Sequence, residues 1–263
     1  MEILVCMKQV PDDSVEIRLD ASGQPDLSQA EPQGNAFDTY ALELAVRFVE
    51  TNGGSVTVVS AGPEDNKVCL KNSLAVGAVK AYHISDAGLD GRDSHVTAKL
   101  LASAVPKIEE ENGAKFDVIL CGRESTDYIG SEVGEMVAES LGLPFVADIV
   151  EAAPADAGLR VKKELESGYL MVDTALPALF TVSKPDYDPR YPTIKSKLAA
   201  RKAVIPSLDK AAVGLPADAE APRIVYRSFE EPPKRQAGVV IKESEPEEAV
   251  AKAFEAFAAD KVL

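Results

Sequence analysis

The first 145 residues alternate short apolar runs with longer amphipathic segments, and this alternation constrains the fold more than any other feature of the sequence. The apolar runs lie at 3–7, 55–60, 81–85 and 118–121. They have no polar face, as is typical of strands covered by helices on both sides. Apolar residues recur at helical spacing at 37–49, 63–76, 93–110 and 131–141. The pattern predicts an α/β fold with a doubly wound, mostly parallel, Rossmann-like sheet.

The ends of the predicted helices carry recognisable signals. Asn35 precedes the first helix as a candidate cap, and Pro63 is expected in the first turn of the second. Ser131 is a candidate cap of the fourth helix, which Gly142 ends. These signals predict where the loops between strands and helices lie.

After residue 145 the pattern changes. Strand-like pieces at 146–153, 159–165, 169–174 and 178–182 are separated by turns, which predicts antiparallel extensions of the sheet. The segment 184–202 holds six basic and two acidic residues in a chain of net charge −15. Its prolines predict a stiff projecting loop, with a solvated mobile loop as the alternative. Residues 246–260 form an amphipathic helix that covers either the core or a partner subunit.

Charge and motif content exclude several classes of function. A net charge of −15 argues against nucleic acid as a partner. The N-terminus lacks a signal peptide and no stretch is long enough to cross a bilayer, so a cytoplasmic protein without membrane insertion is expected. The cysteines, at 6, 69 and 121, predict buried thiols rather than disulfides. Neither histidine has a metal-ligand spacing, and the GxSxG, GxxxxGK[ST] and GxGxxG motifs are absent.

Three loops follow predicted strands and have the composition of a ligand site. They are Lys8-Gln9-Val10-Pro11, Ala61-Gly62-Pro63 and the polar stretch after the strand at 118–121. In an open α/β sheet, ligands bind at the carboxyl ends of the strands. In the third loop, Gly122 and Gly130 let the backbone approach a ligand. Ser131, Glu132 and Val133 there offer N–H groups to a phosphate, although a plain turn capped by Ser131 has the same composition. Asp127 is a candidate for a ribose or adenine contact, or for capping the turn.

Eight segments in a fixed order resemble the β subunits of electron transfer flavoproteins along nearly the whole chain. They are ILVCMKQVPD (3–12), NAFDTYALELAVR (35–47), GPEDNKVCLKNSLAVGA (62–78), VILCGRESTD…VGEMVAESLGLP (118–144), KKELESGY (162–169), LPALFTVSK (176–184), DPRYPTIKSKLAARK (188–202) and EEPPKRQAGVVI (230–241). The resemblance implies an adenine nucleotide α-hydrolase-like sheet and three regions. These are a nucleotide-binding domain at 1–183, a partner-recognition loop at 184–205, and a C-terminal docking arm at 206–263 that contacts an α subunit.

The resemblance also implies the cofactors. The α subunit carries FAD, and the β subunit holds a second FAD, which we expect here, or AMP in a structural role. The implied cofactor-binding residues of the β site are Cys6, Lys8, Gln9, Val10, Asn35, Phe37, Asp38, Gly62, Asn66, Cys121, Gly122, Arg123, Ser125, Thr126, Asp127, Gly130, Ser131, Glu132 and Val133. The chain departs from the family pattern at Ala36, at Tyr128-Ile129 and at Glu132. Val133 is similar to the Gln-Val-Gly of members that bifurcate electrons from NADH.

Partners are implied by the same resemblance. Ile194 is expected to anchor an acyl-CoA dehydrogenase or a similar flavoenzyme, and Glu164 to face the flavin domain of the α subunit. The other expected partner-binding residues are Tyr191, Lys195, Lys197 and Arg201. The protein is then an electron carrier without catalytic side chains. The alternatives are an ATP-using enzyme of the α-hydrolase type, which needs an SGGxDS-like loop where this chain has KQVPDD, and a nucleotide-sensing module.

Overall fold

A computed structural model describes residues 1–87, 89, 93–233 and 238–262. Residues 234–237 of the 230–241 segment lie outside this range. The strands are β1 (Glu2–Cys6), β2 (Gln9–Pro11), β3 (Arg18–Leu19), β4 (Pro25–Asp26), β5 (Pro32–Gly34), β6 (Ser55–Gly62), β7 (Lys80–Ser85), β8 (Val118–Gly122), β9 (Phe145–Ala155), β10 (Gly158–Leu165), β11 (Gly168–Ala175), β12 (Ala178–Val182) and β13 (Ser207–Leu208). The helices are α1 (Ala36–Asn52), α2 (Lys67–Ala75), α3 (Ser94–Asn112), α4 (Val133–Leu141), α5 (Ile194–Arg201) and α6 (Pro246–Ala259).

The main sheet has nine strands in the order β11-β10-β9-β12-β8-β1-β6-β7-β13. All neighbours from β9 to β13 in this order run parallel, while β10 and β11 extend the sheet as antiparallel strands. Strand β1 pairs with β6 on one side and with β8 on the other, so the strand order reverses between β1 and β8. The predicted doubly wound sheet is confirmed, and β10 and β11 are the predicted antiparallel extensions. The same prediction is wrong for β9 and β12, which run parallel to each other and to β8 within the main sheet.

Both faces of the sheet are buried. Along β1, Ile3 and Val5 pack with α1 and α2, whereas Leu4 and Cys6 pack with α3 and α4. Successive side chains of a strand point to opposite faces, so a strand with helices on both sides has no face in contact with solvent. This explains the uninterrupted apolar runs in the sequence.

Three of the predicted helix-end signals act differently in the structure. Asn35 lies at the cap position of α1, but its side chain makes no cap hydrogen bond because it binds another loop. Pro63 adopts an extended conformation before a 3₁₀ turn at Glu64–Asn66, so α2 begins only at Lys67. Ser131 has φ 53°, which a helix cannot include, so α4 begins at Val133 and Ser131 does not cap it.

The segment 184–202 is not the continuous projecting loop predicted. Its second half forms α5, which Thr193 begins by accepting a hydrogen bond from the Ser196 N–H at 3.1 Å. The end of α5 lies at α2, where Lys71 Nζ donates to the Arg201 carbonyl at 3.3 Å. The prolines at 185, 189 and 192 all precede the helix, so they stiffen only the first half.

The C-terminal helix is present as predicted, at Pro246–Ala259, and the structure leaves every residue of it unburied. Its apolar side chains Val250, Phe254 and Phe257 are exposed. No helix within the described ranges has the length and apolar character needed to span a bilayer.

Candidate functional site

The loops after β1 and β8 meet where the strand order reverses. Lys8 follows β1, and its Nζ lies 2.7 Å from Asp127 Oδ1 and 3.2 Å from Ser125 Oγ in the loop after β8. In a doubly wound sheet, the carboxyl ends of the strands on either side of this reversal enclose a crevice in which ligands bind. The first and third predicted loops therefore form one site.

Asn35 at the start of α1 holds the loop after β8 in place. Its Nδ2 donates to the Glu124 carbonyl at 2.7 Å, and its Oδ1 accepts from the Thr126 N–H at 3.1 Å. Only 1% of Asn35 is exposed. Its amide is therefore committed to the loop backbone, and its contribution to a ligand site is to fix the residues that line it.

Asp38 connects both loops to α1. Its Oδ2 accepts from the Lys8 N–H at 2.7 Å and its Oδ1 from the Gly122 N–H at 2.9 Å. Burial raises the pKa of Asp38 to about 6, although these two N–H groups lower it. Gly122 permits this contact, because a Cβ there would lie 2.4 Å from Asp38 Oδ1. Asp38 is 6% exposed and acts on the loops rather than through an open carboxylate.

The loop 129–133 forms a turn suited to an anion. Ile129 and Ser131 have φ of 52° and 53°, on either side of Gly130, and the chain enters α4 directly afterwards. Ser131 is followed by Glu132 in the right-handed region, and such a pair turns successive N–H groups toward one point, to which a helix N-terminus adds its positive dipole end. Glu132 makes no side-chain cap, and the Ser131 hydroxyl donates to Glu124 Oε2 at 2.7 Å. The first N–H groups of α4 therefore lack a side-chain partner at the cap.

Three aromatic side chains border the site, and the sequence pattern did not predict that they lie together. Lys8 Nζ lies 4.8 Å from the ring centre of Tyr128, and the Tyr226 ring lies 5.7 Å from Tyr128 on one side and 5.7 Å from Phe229 on the other. Asp93, the cap of α3, holds this C-terminal segment by accepting from the N–H groups at 223 and 224. Asp93 and Arg223 are 130 positions apart in the sequence, so no local signal predicts the contact.

The remaining residues predicted around Lys8 differ in accessibility. Gln9 Oε1 is buried and lacks a hydrogen-bond donor among the residues the structure describes. Val10 is buried in the core, and the Phe37 ring packs against Tyr40 at 6.2 Å. Arg123 is exposed, with its Nε 3.7 Å from Asp148 Oδ1.

Cys6 and Cys121 lie buried at the ends of the adjacent strands β1 and β8. The neighbouring Cys6 thiol and burial raise the pKa of Cys121. All three cysteines, at 6, 69 and 121, are free and buried, which confirms their predicted burial. No group of possible metal ligands occurs within the described residues.

His83 holds the loop after β6 through hydrogen bonds to its backbone. His83 Nε2 lies 2.9 Å from the Gly62 carbonyl and 3.0 Å from the Pro63 carbonyl, so Nε2 carries the donated proton. Asn66 is buried and donates to Ser60 Oγ and the Ala61 carbonyl. Gly62 and Asn66 therefore shape this loop through its backbone.

The predicted partner-binding residues occupy two places. Glu164 lies on β10, where its Oε2 accepts from the Ser183 hydroxyl at 2.7 Å. The others lie on or beside α5, and Tyr191 and Ile194 are 93% and 81% exposed. Lys195, Lys197 and Arg201 are exposed on the same short helix. The structure therefore presents an apolar and basic surface apart from Glu164.

The sequence matches the model of one protein family and is similar to proteins of that family. The electron transfer flavoprotein domain matches residues 28–213. The electron transfer flavoprotein subunit beta of Megasphaera elsdenii is 35% identical over 273 aligned residues, covering 100% of both chains. The same subunit of Thermoanaerobacterium thermosaccharolyticum is 38% identical over 196 residues, 74% of this chain and 73% of the relative. The caffeyl-CoA reductase-Etf complex subunit CarD of Acetobacterium woodii is 32% identical over 247 residues, 92% of each chain. The chain therefore belongs to the electron transfer flavoprotein family, among its β subunits, and its function is electron transfer.

Proposed function

We propose that this chain pairs with an α subunit that holds FAD, and that its own crevice holds a second FAD. The observation that carries the nucleotide site is the meeting of Lys8 with Ser125 and Asp127, beside the N-terminus of α4. A cation and uncapped helix N–H groups at the switch point of a parallel sheet suit a phosphate. Bound FAD supplies reversible electron transfer through its isoalloxazine ring, which side chains cannot provide.

The residues of this chain bind and orient the proposed nucleotide. Lys8 offsets the negative charge of a phosphate, and the N–H groups at the start of α4 donate to it. The buried Gln9 Oε1, which has no donor in the described part of the chain, suits an amine such as that of adenine. The Glu124 carboxylate accepts a hydrogen bond from the Ser131 hydroxyl. This hydrogen bond offsets part of the repulsion between the carboxylate and an anion. These features fit an adenine nucleotide.

FAD and AMP share the adenosine and the first phosphate, so the same loops serve either. Val133 favours FAD, since it lacks the hydroxyl that a lone phosphate would use as a donor. With FAD in the crevice, NADH oxidation and electron bifurcation are the proposed chemistry. With AMP, the crevice has a structural role.

The segment 184–202 is proposed to dock the redox partner. Ile194 and Tyr191 are exposed apolar groups beside Lys195, Lys197 and Arg201, a mixture typical of interfaces. The basic residues favour an acidic partner surface and raise its association rate. One relative is a subunit of a caffeyl-CoA reductase-Etf complex. That relation favours an enzyme of CoA thioesters, such as an acyl-CoA dehydrogenase, as the partner.

The arm 206–263 and Glu164 are proposed to contact the α subunit. The apolar face of α6 is exposed in the isolated chain, as are Leu170 and Met171 on β11. Exposed apolar surface of this extent is typical of a subunit interface. An isolated chain that is monodisperse and binds FAD stoichiometrically would show that pairing is not required.

The nucleotide content of the α/β complex tests the proposal. Denaturation should release two FAD per heterodimer, whereas one FAD and one AMP would overturn the second FAD. Lys8→Met should reduce the content to the one FAD of the α subunit, because the phosphate loses its cation. Lys67→Met, which removes a lysine paired with Glu64, is the matched control and should leave the content unchanged.

A further inference from the structure

A buried carboxylate on α1 holds the beginning of the docking segment. Glu43 is only 3% exposed. Arg190 donates to it from Nε at 2.9 Å and from its backbone N–H at 3.1 Å. The same guanidinium donates to Glu50, two turns further along α1, at 2.6 and 2.9 Å. Arg190 therefore bridges two carboxylates on one face of the helix.

A second contact fixes the segment three residues earlier. The guanidinium of Arg47 lies 4.0 Å from the ring centre of Tyr187, and Arg47 also donates to Glu43. Tyr187 and Arg190 are thus both held on α1. Tyr191, the next residue, is almost fully exposed, as is Ile194. The contacts with α1 therefore end directly before the exposed side chain of Tyr191.

The chemistry of this contact favours a geometric role. Burial raises the pKa of Glu43, but the hydrogen bonds from Arg190 and Arg47 outweigh it and keep the pKa below its ordinary value. Glu43 is therefore ionised at neutral pH. A buried ion pair adds little net stability compared with apolar residues of the same volume. The guanidinium of Arg190 does, however, fix the orientation of the contact, because each of its N–H groups has one favourable line of approach.

We propose that Arg190 is a positioning residue for electron transfer between this protein and its partner: its clamp on Glu43 and Glu50 presents Tyr191 and Ile194 in the conformation that the partner binds. This inference rests on the docking role proposed above for 184–202. A segment ordered before binding does not lose that conformational freedom on docking. The clamp therefore lowers the partner concentration needed for electron transfer and leaves the transfer step itself unchanged.

Two variants with opposite changes of charge test the clamp. Arg190→Gln removes a positive charge and Glu50→Gln removes a negative one, so steering of an acidic partner changes in opposite directions, whereas the clamp is weakened in both. We would use the flavin-loaded α/β complex with an acyl-CoA dehydrogenase reduced by its acyl-CoA substrate. Arg190→Gln should raise the apparent KM for the dehydrogenase about tenfold. Glu50→Gln should raise it less, and both should keep the saturating rate and the flavin content.

The matched controls break a similar fork elsewhere. Arg160 donates to both oxygens of Asp173, at 2.6 and 2.7 Å, between β10 and β11. Arg160→Gln and Asp173→Asn should leave the KM unchanged. In a double variant, Ile194→Ala should cost less on the Arg190→Gln background than alone, because the anchor is then no longer presented.

The KM values of the clamp variants distinguish positioning from electrostatic steering. KM changes of opposite sign in the two clamp variants indicate steering and overturn the inference, as does an unchanged KM in both. If Arg190→Gln prevents folding, Glu50→Gln is the variant that tests the clamp, since Arg190 then still donates to Glu43. Hydrogen exchange of the 184–201 amides must then accelerate in that variant. If Ile194→Ala alone leaves the KM unchanged, the docking function itself fails. If Ile194→Ala raises it and the clamp variants do not, only the positioning role fails.

Discussion

Asp38 should make the stability of this protein fall as the pH rises from 4 to 7.5, a range that we propose for measurement. Burial raises the pKa of Asp38 from its ordinary value of 3.8 to about 6 in the folded chain. Below the unfolded value the carboxyl is protonated in both states, and its favourable contribution is fully present. As the pH rises through about 6 this contribution is lost, because the folded chain must then hold a buried charge.

The size of the effect follows from the two pKa values. A difference of roughly two pH units corresponds to about 3 kcal/mol of unfolding free energy. Asp38→Asn cannot ionise, but its amide nitrogen cannot accept from one of the two N–H groups that the carboxyl oxygens serve, a cost that does not change with pH. At pH 4 the stabilities of wild type and variant should therefore differ by that cost alone. At pH 7.5 the variant should have gained about 3 kcal/mol relative to the wild type.

Urea unfolding of the full-length chain, followed by circular dichroism at several pH values, measures this difference. Asp173→Asn is the control with the opposite sign, because the hydrogen bonds from Arg160 lower the pKa of Asp173. Relative to that control, the wild type should gain stability as the pH rises. A wild-type-minus-Asp38→Asn difference that stays constant with pH, or that grows in favour of the wild type, would refute the reasoning. The N–H groups of Lys8 and Gly122 would then outweigh burial.

Three further substitutions test other parts of the site. Ile194→Ala should raise the partner concentration needed for electron transfer tenfold or more with unchanged flavin content, since burying one aliphatic side chain on docking contributes roughly 1.5–3 kcal/mol. Unaltered partner kinetics would remove Ile194 from the interface. Gly122→Ala should abolish nucleotide retention, because the new Cβ would lie 2.7 Å from the Phe37 carbonyl carbon; Gly238→Ala, with open space around it, is the control. Asn35→Ala should lower the unfolding free energy by about 2–4 kcal/mol, because it leaves two loop backbone groups without partners. A thermal melt equal to wild type would show that water replaces the amide.

Much of the architecture follows from local sequence. The apolar runs at 3–7 and 118–121 have no polar face, which only a strand covered on both sides tolerates, so the parallel sheet was predictable. The loops that line the crevice were also predictable, because they follow strands and carry Lys8, Gly122 and Gly130 at positions where ligands of such sheets bind. These are properties of neighbouring residues, which periodicity and composition report directly.

The roles of individual polar residues depended on contacts between distant parts of the chain. Asn35 looked like a helix cap, but the structure uses its amide on the loop after β8, about 90 positions away in sequence. Arg190 belonged to a basic run that charge alone assigns to solvent, yet it reaches a buried carboxylate on α1. Sequence determined which segments form strands, helices and ligand loops, because those choices depend on residues a few positions apart. Only the tertiary structure decided which side chain satisfies which buried polar group, because such partners are chosen by distance in space.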